Sequence, residues 1–516
     1  MPASPLDHML LADLDGDITS TTGRTASVIA PFSGRVLHEL PLSSTTDVRD
    51  TYARARLAQL GWARAGFAHR RAVLLRAHDL LLERRERLLD ITQSETGKTR
   101  GQAFEEVFQA ASVTRYNALA ASRVLRGGRR RSAIPLVIST RVRYKPKGIA
   151  GVITPWNYPL SLAAMDVVPA LAAGCGVVQK ADNQGALSIL MLRRAFLDAG
   201  VPAELWAVTT GEGAEIGGAV TNEADFVCFT GSTATGRVVA AQAAGNLTGV
   251  SLELGGKNPL IVLDDADPKR AANDAAYACF SSLGQLCVSS ERIYVERGIA
   301  DAFLREFVSR TNSLALGGAY DYSTDVGSLT TQSQLDRVTA HVDDAIAKGA
   351  TVLAGGRARP DLGPLFFEPT VLGDVSPDMV CFADETFGPV VSVTVVDSEQ
   401  EAILAANSSN FGLNASILSG SLRRAERIAA ALEAGSVNIN EGYRGSFSSV
   451  DAPMGGVKHS GLGRRNGPEG LLRFADAVTI SRTTGLLQLP HTGPEFGRLA
   501  GPMVLLAVVL KLLRLR

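Results

Sequence analysis

Cysteine is scarce in this chain: five residues in 516, at positions 175, 228, 279, 287 and 381. Thiols so few and so scattered exclude a disulfide framework, and they fit no zinc-ligand spacing, so no metal site is expected. A reducing cytoplasm suits that usage. Charge of one sign is lacking too. Lysine plus arginine and aspartate plus glutamate both number 52, a net charge of zero, which argues against nucleic acid as a partner. The densest basic run, RVLRGGRRR at 123–131, reads as a solvated arm. The N-terminus does not show the basic-then-apolar order of a secretory signal. No apolar run reaches the roughly 20 residues of a spanning helix. The nearest is GPMVLLAVVLKLLRLR, 501–516, apolar and then basic. It is expected either to lie on a membrane surface, leaving the protein peripheral to it, or to dock on a neighbouring subunit.

What is abundant is apolar: 46% of residues, enough for a large interior divided among two or three domains. From 46 to 123 apolar residues recur at three- and four-residue spacing, which predicts helices. AIPLVISTRVRYK, 133–145, alternates as a strand arm does. The pattern then becomes strand, helix, strand: GIAGVIT (148–154), GVVQK (176–180), DFVCFT (225–230), VSLEL (250–254). A second round starts at NPLIVL (258–263). Such alternation predicts an α/β fold with mostly parallel sheets and helices on both faces. Ligands bind there at the carboxyl ends of strands. Two glycine turns lie at such ends, TGEGAEIGG (210–218) and FTGSTATGR (229–237). Neither is a strict GxGxxG, and either one alone is weak evidence.

An ordered set of motifs says more. TPWNYP (154–159), Gly231-Ser232, ELGGKNP (253–259), GQLC (284–287), ETFGP (385–389) and PMGGVKHSGLGR (453–464) follow one another. Together they resemble the aldehyde dehydrogenase superfamily over roughly residues 25–485. The resemblance implies a Rossmann-type cofactor lobe from 1–132 and 146–252 and an α/β catalytic lobe from 253–450. It also implies a β-strand oligomerisation arm from 133–145 with 475–485, a tail from 486–516, and a homodimer or homotetramer.

The chemistry is coherent in itself. An aldehyde yields hydride only from a tetrahedral adduct, which a thiolate forms. The adduct's oxyanion needs fixed donors, and the resulting thioester needs a base to activate water. By resemblance Cys287 is the nucleophile and Glu253 the base. The Asn157 amide and the Cys287 N–H are the oxyanion donors. The cofactor is NADP or NAD. Lys180 and Trp156 are assigned to the adenosine ribose, Gly231 and Ser232 to the pyrophosphate, and Glu385 to the nicotinamide ribose. Phe387 lies beside the ring, and Gly255 allows close approach. Asn183 stands where the family commonly has Glu, which leans toward NADP; Asp182 would repel a 2′-phosphate.

The sub-branch most similar is the succinate-semialdehyde dehydrogenases. Better-known members carry two arginines for the distal carboxylate; this chain has Met165 and Ser281 there. Tyr158 and Leu162 make the mouth apolar, and Arg444 is a candidate replacement charge. A dehydrogenase for an uncharged aliphatic or aromatic aldehyde is the physical alternative. Glu253 argues against an acyl-CoA-forming enzyme. The presence of Asn157, Glu253 and Cys287 together argues against an inactive structural or membrane-surface relative.

Overall fold

The computed structural model describes residues 4–135 and 137–514. Expectations that fall on residues 1–3, 136, 515 and 516 lie outside them. Two sheets carry the molecule. The first holds six strands in the order Gly461–Leu462, Gly249–Glu253, Phe226–Thr230, Ile149–Thr154, Gly176–Ala181, Trp206–Thr209. Its strands run parallel except the first, which pairs antiparallel with its neighbour, Gly461 opposite Glu253. The central strand, IAGVIT, is buried on both faces except at Ile153. That is the setting in which a continuous apolar run reads as a parallel strand.

The second sheet holds seven strands, ordered Thr351–Ala354, Thr370–Gly373, Val390–Val396, Ser290–Glu296, Asn258–Val262, Asn414–Leu418, Ser436–Ile439. Only its first pair is antiparallel. Helices cover both sheets. The helix Pro159–Ala173 has all of its residues buried. Proline at its first position suits a helix start, and Gly174, at φ 98°, stops it in the left-handed region. The helix Thr45–Arg64 begins with a capping box, Ser44 and Asp47 bonding each other's backbone N–H.

Ala475–Thr483, Ile138–Pro146 and Gly128–Arg130 make a third, antiparallel sheet in which no position is buried. Gly128–Arg130 belongs to this sheet by pairing with Val142, Arg141 and Thr140; at three residues it is too short to show a period in the sequence. The tail forms a helix, Gly493–Leu512, with no buried residue. Among the described residues no helix is long and apolar enough to cross a membrane.

Candidate active site

The carboxyl ends of three neighbouring strands build one wall of the site. After Ile149–Thr154 the chain turns through Pro155, Trp156 and Asn157 into the buried helix. After Phe226–Thr230 it passes Gly231 and reaches Ser232, whose Oγ caps the helix Thr233–Gly245 by accepting from Thr235 N at 3.2 Å. Gly249–Glu253 ends on Glu253 itself. The opposite wall comes from the second sheet: Cys287 precedes Ser290–Glu296, and Glu385 and Phe387 precede Val390–Val396. Between the walls is a cavity of about 200 Å³ lined by Trp156, Asn157, Gly231, Ser232, Glu253, Gly255, Cys287, Glu385 and Phe387. A groove of about 1020 Å³ continues from Trp156, Gly231 and Ser232 past Lys180, Asp182, Asn183 and Glu212. Lys180 is buried but for 7% of its surface.

The loop carrying Cys287 is held tightly. It follows a turn in which Ser282 and Leu283 have φ of 48° and 54°, a costly region for residues with a Cβ. Asn258 Nδ2 donates to Cys287 O at 2.8 Å and to Ser289 O at 2.7 Å. Asn157 Nδ2 donates to Gln285 O at 2.8 Å, two residues before the thiol. Lys98 Nζ in turn donates to Asn157 O at 2.7 Å and pairs with buried Glu106. Gly256 lies so close that a Cβ there would meet Cys287 O at 2.6 Å.

Electrostatics divides the ionisable groups. Burial, with Glu253 and Glu385 nearby, pushes the Cys287 thiol up to about 12. Burial raises Glu253 to about 7, with Arg465 opposing it. Its Oε1 is buried without a hydrogen-bond partner. Burial raises Glu385 to about 8, with Glu291 adding to the rise. Glu385 accepts from Gly256 N at 2.8 Å, and a Cβ on Gly255 would meet its Oε2 at 2.4 Å. Phe387, at φ 54°, sets its ring edge-on to Trp156, with centroids 5.8 Å apart.

Several supporting residues escaped the sequence reading. Buried Glu291, paired with Lys257 at 2.6 Å, accepts from Thr386 N and Phe387 N, each at 2.9 Å. Gln334 Nε2 donates to Phe387 O at 2.7 Å, and Arg337 donates to Glu385 O. Each partner is remote in sequence, so spacing gave no signal, although Lys257 and Asn258 sit inside the ELGGKNP motif.

The five residues expected around the substrate do not line this cavity. Tyr158, Leu162, Met165 and Ser281 are buried. Tyr158 OH lies 2.8 Å from Ser282 Oγ, and Ser281 Oγ donates to Tyr277 O at 2.7 Å. Arg444 is partly exposed, pairs with Glu441 at 2.8 Å and lies 3.9 Å over the Tyr277 ring. Tyr277 and Tyr443 both donate to the Glu105 carboxylate. All five cysteines are free; the other four are buried, with thiols pushed up by burial.

A thiol, a carboxylate and an amide around one cavity, opening on a groove with a helix N-terminus, is a site for acyl chemistry next to an anionic ligand. Comparison with known proteins agrees. The model of the aldehyde dehydrogenase family matches residues 18–480. A Mycobacterium tuberculosis protein provisionally named succinate-semialdehyde dehydrogenase [NADP(+)] 2 is 46% identical over 481 residues, 93% of this chain and 92% of its own. The mitochondrial succinate-semialdehyde dehydrogenase of Oryza sativa is 38% identical over 463 residues, 89% of this chain and 86% of its own. The crystal structure of betaine aldehyde dehydrogenase from Staphylococcus aureus with NAD+ matches with a TM-score of 0.88 at 33% identity, covering 94% of this chain and 98% of that one. Sequence, fold and structural likeness agree, and this chain belongs to the aldehyde dehydrogenase family.

Proposed function

We propose that Cys287, Glu253 and Asn157 carry out an NAD(P)-dependent oxidation of an aldehyde to a carboxylic acid. The observation that carries this reading is their convergence on one cavity. The groove fits a dinucleotide: backbone N–H groups at the start of Thr233–Gly245 face it beside Gly231, and Trp156, edge to face with Phe387, lines both the groove and the cavity. Gly231 and Ser232 would hold the pyrophosphate, Lys180 and Asn183 the adenosine ribose, and Glu385 the second ribose. The bound dinucleotide supplies the hydride acceptor. Cys287 first loses its proton to solvent. Its thiolate adds to the aldehyde carbon, giving a thiohemiacetal whose oxyanion is met by the Asn157 amide and the Cys287 N–H. Loss of hydride leaves a thioester on Sγ. Glu253 then withdraws a proton from water, and hydroxide displaces the thiolate as the acid leaves. Glu253→Gln tests this: rapid mixing should show a burst of reduced cofactor followed by slow turnover. A slowed burst with hydrolysis unchanged would overturn the assignment.

For the substrate we propose an uncharged aldehyde. The cation lining the cavity, Arg337, is engaged by Glu385 O; beyond the cavity, the positions expected to carry arginines hold uncharged Met165 and Ser281, and Arg444 is engaged by Glu441. Succinate semialdehyde is the second reading, favoured by the names of relatives at 46% identity. A charge-assisted contact contributes about 1.5–3 kcal/mol, so its absence should show in kcat/KM across an aldehyde panel.

Asn183 bears on the choice between NADP and NAD. Its Nδ2 donates to Glu212 Oε1 at 3.2 Å and its Oδ1 accepts from Gly211 N at 2.9 Å. Asp182 Oδ1 accepts from Gln184 N at 3.0 Å, and burial raises its carboxyl, which lessens its repulsion of a 2′-phosphate. We keep NADP as the preferred cofactor. Free thiols suit the cytoplasm. The exposed three-stranded sheet suits an assembly of two or four copies. The tail helix exposes Val504, Leu505, Val508, Val509 and Leu512 on several sides and adds Lys511 and Arg514. That combination suits an anionic bilayer surface better than a one-sided protein groove.

A further inference from the structure

Behind Glu253 lies a buried ionic cluster that the chemistry above does not use. Arg465 Nε donates to Asp166 Oδ1 at 2.9 Å and its Nη2 to Asp166 Oδ2 at 2.5 Å. Arg473 Nη2 donates to Asp166 Oδ1 at 2.7 Å and its Nη1 to Ser251 Oγ at 2.8 Å. The side chains of Arg465, Asp166 and Arg473 are 2%, 0% and 8% exposed. Two fixed cations therefore face one fixed anion inside the protein.

The excess cation is placed at the base. Arg465 also donates to Thr230 Oγ1, and Thr230 is the residue paired with Glu253 across the sheet. Ser251 lies two positions before Glu253 on the same strand. The Arg465 backbone exchanges hydrogen bonds of 2.8 and 2.6 Å with Met454. Next to Met454 is Gly455, where a Cβ would stand 3.0 Å from Glu253 Oε1.

We infer that Arg465, Arg473 and Asp166 form a positioning cluster whose one surplus positive charge is balanced by ionised Glu253, so that the cluster sets the pH range in which the base works. The inference rests on Glu253 being that base. The charged and titratable groups facing Glu253 are Arg464, Arg465, Arg473, Asp166 and the thiols of Cys228 and Cys287. The arginines stay charged, Asp166 is held low by Arg465 and Arg473, and both thiols are pushed up to about 12. Glu253 is thus the member of this set that changes charge near neutral pH.

The test measures the rate of thioester hydrolysis after rapid mixing, from pH 5.5 to about 9, in variants of opposite charge effect. Arg465→Met leaves Asp166 paired with Arg473 and removes the surplus cation. The acid limb should move to higher pH by about one unit or more, the scale of a nearby opposite charge. Asp166→Asn leaves two cations and should move the limb to lower pH. Arg465→Lys should hold it near the parent position. Should Arg465→Met fail to fold, by thermal melt, Arg473→Met makes the same upward prediction, since its other partners, Ser251 Oγ and the carbonyls of Met165 and Gly470, are neutral. Shifts of one sign in all variants, or none, overturn the inference and leave a structural role. Glu253→Gln separates the two claims. If it leaves the limb in place, the base assignment fails. If it removes the limb while the cluster variants do not shift it, only the inference fails.

Discussion

Cys287 carries its proton at rest. Burial raises both its thiol and the carboxylate of Glu253. The sign of the pH dependence follows. A carboxyl raised from 4.5 to about 7 is ionised above that value, so hydrolysis should rise through neutral pH and level off on the alkaline side. A rate flat between pH 5 and 8 would contradict this. Cys287→Ser should lose turnover by at least about 1000-fold, because an alcohol is the weaker nucleophile. Its cofactor affinity should be unchanged by fluorescence titration. Asn183→Glu should lower kcat/KM for NADP by about tenfold or more and leave NAD little affected, read from paired assays. Of the residues lining the main cavity, those within motifs, from Trp156 to Phe387, were legible, whereas Gln334 and Arg337 lie in no motif. Arg465, Glu291 and Lys98 were not legible, because their meaning lies in partners distant in the chain, such as Asp166 for Arg465, Thr386 for Glu291 and Asn157 for Lys98.

At the scale of elements, the loop around Cys287 is fixed by side chains from other elements rather than by its own turn. Asn258, at the start of its strand, holds two of the loop's carbonyls. Asn258→Ala should cut kcat by about 100-fold with little change in cofactor KM, since a displaced nucleophile loses alignment rather than binding. A change confined to KM would refute that. Helices of the first half and the parallel strands from 148 to 263 were readable from periodicity. The short strands Thr351–Ala354 and Thr370–Gly373 were not, for neither is long enough to set a period. The tail is a related case. Its composition promised a surface segment, but Glu495, Arg498, Lys511 and Arg514 do not share one helical face, and every side is apolar near the end.

For the whole molecule, the tail and the arm make separable predictions. Truncation after residue 485 should preserve aldehyde oxidation and abolish flotation with anionic vesicles. Flotation that survives truncation would exclude the tail as the contact. Disrupting the exposed sheet, by charge at Ile480, should instead lower the mass seen by light scattering. The two-sheet α/β plan was legible in the alternation of strand and helix, whereas the pairing of Gly461 with Glu253 was not. That pairing has a consequence in time. The strand that ends on Glu253 gains its last neighbour only when a segment 208 residues further on has been made. At 5–20 residues per second on the ribosome this is a wait of about 10–40 s. Throughout it Glu253 stands at an open sheet edge without Arg465 behind it, and the nascent chain has no finished catalyst. Any factor that shelters the growing polypeptide has that interval in which to cover the edge.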